Sequence, residues 1–328
     1  MLPYPHAGWL EAILAAKVPE EQTSSCGSCP MIAPDPLGAP RFPSELKCCT
    51  FVPDLPNFQV GVLLADPDPR MDFGRARVLD RIGAGLAVSP LGVGKSRTYL
   101  NLYGQGGFAA SRALRCPYYN DGGCGIWLHR EAICSTWFCK HDRGERGFAF
   151  WQAALFALKA VELVVAVRVA VELGIDEDAL TNNPIADVHR EAAPEYYASL
   201  WARWAGRETA FFVAAGERVQ ALSFAEIGDW LRDRDKDLLV AARQAFAALG
   251  GPLPDVVQLG KMNRVGGDAT IVRFRSYSDY NPVDLPHAVA DALPDYAGRP
   301  VADLASLGLG EADVRRLVDH HILLIEEE

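Results

Sequence analysis

All eight cysteines of this chain lie between positions 26 and 139, and none follows before the last residue at 328. Cys26, Cys29, Cys48 and Cys49 form one group. Cys116, Cys124, Cys134 and Cys139 form a second, interleaved with His129, His141, Tyr118, Tyr119, Trp127 and Trp137. A thiol used only as a small buried hydrophobe would be scattered along the chain, so confinement to its first half asks for a chemical cause. Ligation of a metal or a cluster is the leading one.

The redox setting follows from what precedes the cysteines. Met1 to Lys17 has neither a basic start nor a long apolar core, so it does not read as a secretory signal. The most apolar run, Phe148 to Ile175, is broken by Lys159, Glu162, Arg168 and Glu172 and is not expected to span a membrane. The expected location is the cytoplasm, where thiols stay reduced and clustered cysteines serve as ligands in place of disulfides. A net charge of -10 argues against broad contact with nucleic acid, whose binders present a surplus of Lys and Arg.

A chain of 328 residues exceeds the usual growth of one core. The expected fold is α+β, mainly α, in three parts. Residues 1–146 read as a loop-rich, cysteine-cluster metal domain, rich in proline up to Pro56. Residues 147–250 read as a helical region packing on it, led by a buried helix from Phe148 to Leu173 with Gly174 as its stop. Asn183-Pro184 and Pro194 mark helix starts, the aromatics Tyr196, Tyr197, Trp201 and Trp204 read as core, and Ser223 with Glu226 makes a capping box. Residues 255–328 read as a small winged-helix-like module. It has two strands joined by a Gly266-Gly267 turn, three short helices, and a closing strand from Ile322 to Ile325.

Ligand geometry can be read in part. Cys26-Gly-Ser-Cys29 reverses the chain over two residues and brings two sulfurs within reach of one metal. Adjacent cysteines such as Cys48-Cys49 rarely close on one small tetrahedral ion and suit different irons of a cluster, or two separate sites. Thiolates suit zinc and iron-sulfur alike, and eight of them could form two four-thiolate sites or one such site plus a mixed one. His129 and His141 read as ligands, proton carriers or supports of the ligands. Arg130, Lys140 and Arg143 would offset thiolate charge, hold an anion, or form a solvated basic edge. Two decoys are set aside. Ser89 to Ser96 ends like a phosphate loop but lacks its first glycine and a long helix after it. His320 and His321 are consecutive on a helix and point about 100° apart, so they do not share an ion.

The series Cys26-x-x-Cys29, Cys48-Cys49, Cys116-Pro117, Cys124-x-Ile126, His129-Arg130, Cys134 and Phe138-Cys139 resembles the zinc- or iron-chelating cysteine-cluster family that includes the flagellin lysine N-methylases. The resemblance covers roughly residues 20–150. It is closest in the second half, with Trp127 and Arg130 in the aromatic and basic positions. It departs in the first, where eighteen residues separate Cys29 from Cys48 in place of a compact group. The resemblance implies that Cys26, Cys29, Cys48, Cys49, Cys116, Cys124, Cys134 and Cys139 hold an iron-sulfur cluster or zinc. Its methylase members imply S-adenosylmethionine as methyl donor and a protein lysine as acceptor.

Three functions are therefore expected in order. The first is a cytosolic iron-sulfur or zinc enzyme, methylase-like or redox, that modifies a protein or peptide and grasps it with the C-terminal module. The second is a non-catalytic interaction protein stapled by zinc. The third is a metal-responsive regulator, which the acidic balance and the Glu326-Glu327-Glu328 tail weigh against.

Overall fold

The computed structural model describes residues 2–324 apart from 24–25, 36, 39–40, 182–184 and 261. The Asn183-Pro184 helix start, Ile325 and the glutamate tail lie outside the described residues. The fold is α+β and mainly α. Among the described residues no helix is long and apolar enough to cross a membrane. Two compact units are interleaved in sequence. The first comprises 1–18, 42–137 and 154–240, and the second comprises 19–41, 138–153 and 241–328.

The first unit begins with α1 (His6–Leu14), which buries Trp9, Leu10 and Ile13. A three-stranded antiparallel sheet of order β1-β3-β2 is built from β1 (Leu55–Pro56), β2 (Val88–Ser89) and β3 (Gly92–Val93). Between these strands come α2 (Asn57–Ala65) and α3 (Asp72–Ala84). The apolar run from Val60 is thus helix, and its Asn57 side chain donates to the carbonyls of Pro90 and Ala166 at 2.8 Å each. The glycine-rich stretch after β3 is more ordered than its sequence suggests. Ser96 caps a helix, α4 (Arg97–Gly104), by accepting from the Tyr99 N–H. The phosphate-loop lysine is already engaged, since Lys95 Nζ lies 2.5 Å from Asp54 and 4.3 Å over the Phe51 ring.

Next come β4 (Tyr119–Asn120) and β5 (Gly123–Cys124), then α5 (Ala132–Thr136) and the 29-residue α6 (Gly144–Glu172). Residues 154–172 of α6 belong to the first unit and bury Ala157, Leu158, Val161, Val165 and Val169. Gly174 ends the helix in the left-handed region with φ +87°. Five helices follow: α7 (Glu177–Thr181), α8 (Pro194–Trp201), α9 (Glu208–Gln220), α10 (Phe224–Trp230) and α11 (Asp233–Leu249). The Ser223–Glu226 capping box forms as its spacing predicts. Tyr197 and Trp201 are core, with Trp201 edge-on to Phe211 and Phe212, whereas Tyr196, on another side of the helix, is exposed and Trp204 is half-buried.

The contact on which this core closes is α2 against α9. Buried Gly61 and Gly216 face one another across it. A Cβ at Gly61 would fall well inside the contact distance of the Phe212 carbonyl oxygen, and one at Gly216 would lie 2.7 Å from Val62 N. Both obstacles are backbone, which cannot turn aside as a side chain can.

The second unit holds a core drawn wholly from its C-terminal part: Val257, Val272, Phe274, Val283, Leu293, Leu304, Leu317, Ile322 and their neighbours. β6 (Gln258–Leu259) pairs with the last strand, while β7 (Asn263–Gly267), β8 (Ile271–Arg275) and β9 (Val283–Pro286) form an antiparallel meander in that order. Then come α12 (His287–Ala292), a 3-10 stretch (Val301–Leu307), α13 (Glu311–Asp319) and β10 (Leu323–Leu324). The hairpin turn is displaced from its expected place. Gly266 and Gly267 sit inside β7, next to an irregularity after Arg264, and the reversal occurs at 268–270. Asp268 explains the shift, because its carboxylate accepts from the N–H groups of Thr270 at 2.8 Å and Ile271 at 3.1 Å.

His320 is 5% exposed, while neighbouring His321 is exposed and lies 3.1 Å from Glu145, so the two do not act as a pair. Burial, with help from Arg316, pulls the His320 value down to about 4. In the unfolded chain an imidazole titrates near ~6.5. The neutral form is therefore favoured by folding, so this contribution is complete above pH ~6.5 and is lost as pH falls toward 4.

Two tests follow from these contacts. Gly61→Ala should destabilise the first unit by about 3 kcal/mol, while Gly83→Ala, whose Cβ meets nothing within 4 Å, should leave the melting temperature unchanged or slightly raised. Amide protection factors over residues 314–323 should fall between pH 6.5 and 4 in the wild type. In His320→Gln that fall should shrink by the equivalent of ~2 kcal/mol.

Candidate metal centre

The cysteines divide five to three between the units. Cys48, Cys49, Cys116, Cys124 and Cys134 belong to the first, and Cys26, Cys29 and Cys139 to the second. None forms a disulfide.

Backbone contacts assemble the five. The turn carrying Cys48 and Cys49 is joined to the later loop by the Cys116 N–H, which donates to the Cys49 carbonyl at 2.8 Å. Lys47 Nζ donates to the Gly122 carbonyl at 2.5 Å, and the Tyr119 hydroxyl to the Ser44 carbonyl at 2.8 Å. The loop itself is a tight hairpin in which Tyr119 pairs with Cys124 across Asp121 and Gly122. Both turn residues have positive φ, +45° and +80°, the left-handed conformation that such two-residue turns require. Behind the hairpin, α3 approaches so closely at Gly74 that a Cβ there would strike the Gly125 carbonyl oxygen.

Cys134 is positioned by α5. Glu131, wholly buried, caps this helix by accepting from the N–H groups of Ile133 at 2.9 Å and Cys134 at 3.1 Å. Arg130 lies over the Trp127 ring at 3.5 Å and donates to the carbonyls of Trp127 and Cys134, both at 3.1 Å. A guanidinium so stacked and bonded is a fixed positive group beside the thiols and no solvated edge.

The thiols perturb one another. The Cys48 thiol is pushed well above its usual value by its hydrogen bond with Cys49 and then by burial. Burial raises Cys116 to about 12, with the charges of Cys124 and Cys48 adding to it, although the Tyr118 N–H donates to its sulfur and acts the other way. Burial also raises Cys134 far above the ordinary range, reinforced by Glu131, Cys116 and Cys124. Electrostatic coupling thus runs from Cys49 through Cys48 to Cys116, and from Cys116 and Cys124 to Cys134. As placed, the five thiols do not close: among the described residues no three His, Cys, Asp or Glu side chains converge tightly enough to hold one ion. The donor set fits thiolate-bound zinc or iron-sulfur by residue type, by neighbourhood and by the N–H directed at sulfur, a bond that tunes such centres.

In the second unit, the segment before Cys26 is fastened to the segment after Cys139. Asp142 accepts from the N–H groups of Gln22 at 2.7 Å and Thr23 at 2.8 Å, and its own N–H donates to Glu21 at 2.6 Å. Cys139 acts electrostatically on Tyr277 and Tyr280. The histidines have polar partners. His129 Nε2 is 2.6 Å from Asp66 and its Nδ1 is buried without a partner, while His141 Nδ1 is 2.7 Å from the Tyr277 hydroxyl. Arg143 meets Asp319 at 2.6 Å.

One feature invisible to sequence reasoning is the polar knot beneath Cys134. Glu162 accepts from the Ala132 N–H and lies against His6 Nε2, each at 2.8 Å, while Lys159 Nζ stands 2.9 Å from Glu162 and 3.5 Å from Glu131. Burial raises Glu131, helped by the Glu162 charge. For Glu162 burial acts the same way but is outweighed by His6 and Lys159, which hold it below its ordinary value. Charged residues interrupting the apolar run were the only signal for it in the sequence.

No family model, curated protein or solved structure matches this chain.

Removing the cap that aims Cys134 tests the arrangement. Glu131→Ala should cost about 2 kcal/mol in thermal stability and speed the reaction of Cys134 with a thiol reagent, while Glu131→Gln, which keeps one acceptor oxygen, should lie between it and the wild type.

Proposed function

We propose that the chain is a cysteine-ligated metalloprotein whose main centre lies in the first unit, with Cys48, Cys49, Cys116, Cys124 and Cys134 as its ligand pool. The electrostatic coupling that links Cys48 with Cys49 and Cys116, and Cys134 with Cys116 and Cys124, carries the reading. Four of them suffice for a four-thiolate site, and the vicinal Cys48-Cys49 pair favours a polynuclear iron-sulfur cluster over a single zinc ion. Cys26, Cys29 and Cys139 would serve a separate, mixed-ligand site in the second unit. A cluster would supply electron transfer or a Lewis-acidic iron, whereas zinc would staple the loops. This chain's own contribution is to direct the Tyr118 N–H at the Cys116 sulfur and to hold the Arg130 charge beside Cys134.

The enzyme reading extends this to modification of a polypeptide. S-adenosylmethionine and methyl transfer to lysine rest on the family resemblance alone. For polypeptide capture there is a structural support: β7 is an edge strand whose five residues are all exposed, so an extended chain could pair with it by strand addition. The winged-helix-like reading of 255–328 belongs to the same proposal, the meander serving as wing and the Val301–Leu307 and α13 pair as its helices.

Anaerobic purification with iron, sulfide and zinc analysis decides the matter. Iron with sulfide and a broad absorbance near ~400 nm is expected, lost in Cys116→Ser and Cys134→Ser and retained in Cys139→Ser. Stoichiometric zinc without sulfide would replace the cluster by the zinc-stapled reading, and a metal-free, fully folded protein would overturn both.

A further inference from the structure

The first unit contains a cavity of about 880 Å³, separate in its lining from the cysteines. One wall is α6 and another is the start of α11, and the apolar lining includes Leu55, Leu91, Phe156, Leu163, Leu180 and Leu238. Its size falls in the range of small-molecule sites, roughly 300–1,000 Å³. The α6 wall is unusual for a helix otherwise built into the core. Phe156 is 55% exposed and Leu163 52%, one on each side of Lys159. Apolar area left in water loses ~25 cal/mol per Å², so covering these two side chains is a driving force waiting for a ligand.

The polar lining sets the chemistry of that ligand. It consists of three acids, Asp54, Glu162 and Asp235, and three bases, Lys159, Arg232 and Arg234. The charges balance in number but not in access. Glu162 is enclosed by Ala132, His6 and Lys159. Asp235 is 4% exposed and accepts from the Arg232 N–H, and Asp54, though its side chain is 44% exposed, is already answered by Lys95, whose backbone N–H and ammonium it takes. The bases reach solvent: the side chain of Arg234 is 76% exposed, that of Arg232 63% and that of Lys159 36%. A single carboxylate, Asp235, is divided between two guanidiniums, which it meets through their Nε atoms at 3.1 and 3.6 Å. An incoming molecule therefore meets apolar walls and a positive mouth.

We propose that this cavity binds a small amphipathic anion, a carboxylate bearing an aliphatic or aromatic tail. The tail would lie along Phe156, Leu163 and Leu238, and the carboxylate would be taken by Arg232 and Arg234, whose planar forks suit it. A cationic amine of the same length would meet three bases at the mouth, and an uncharged alcohol would leave the guanidiniums unanswered. The site depends on neither the metal nor its ligands.

The test uses the full-length protein and titration calorimetry with octanoate, octylamine and octanol as probes. Saturable binding of octanoate is expected, with octylamine and octanol each weaker by about tenfold or more. Arg234→Glu at the mouth and Leu163→Glu on the tail wall, both at exposed positions, should each weaken octanoate by about tenfold while leaving the melting temperature and metal content unchanged. Absence of saturable octanoate binding would overturn the proposal. So would octylamine binding as tightly as octanoate, or octanoate affinity unmoved in both variants.

Discussion

One buried carboxylate holds together the parts of the first unit that bear on its chemistry. Glu162 on the long helix receives the N-terminal helix through His6 and the cysteine loop through the Ala132 N–H. Its side chain is 2% exposed, and an ionised group so enclosed is tolerated only when partners replace the water it has lost. Lys159 supplies the countercharge and touches Glu131 as well, which in turn aims Cys134. Removing one member of such a set leaves another charge buried and unpaired, a penalty of about 3–5 kcal/mol. The orientation of a candidate ligand thus depends on a residue in the first ten of the chain.

The glycine crossing of α2 and α9 works alongside this knot by a different physics. There, the absence of a side chain lets two backbones meet, and dispersion over the close surface replaces directional bonding. The same device appears at Gly74 against Gly125, immediately beside Cys124. Close backbone approach therefore fixes both the core of the unit and the hairpin that carries Cys124.

The raised thiols and the positive neighbours are two sides of one problem. Burial and the neighbouring sulfurs disfavour the thiolate forms of Cys48, Cys116 and Cys134, so in the metal-free chain these three sulfurs keep their protons. Any metal that binds there must displace them. Arg130, stacked on Trp127, and the N–H of Tyr118 ease that ionisation.

Local patterns fixed much of the secondary structure in advance. The long helix and its glycine stop, the Ser223–Glu226 box and the burial of Tyr197 and Trp201 in α8 all depend on neighbours within a few positions, so they can be read from spacing. The hairpin turn at Asp268 was missed because a side-chain carboxylate outcompeted the nearby glycines, and α4 because its capping serine lay inside a misleading motif. The sequence alone determined that the chain is mainly helical and that its cysteines are confined to the first half. Only the tertiary structure decided that this set divides five to three, that Lys159 and Glu162 form a knot in place of a mere interruption, and that a cavity opens beside them. Those outcomes depend on pairs such as His6 and Glu162, 156 positions apart, and no local pattern encodes which distant groups will share one buried volume.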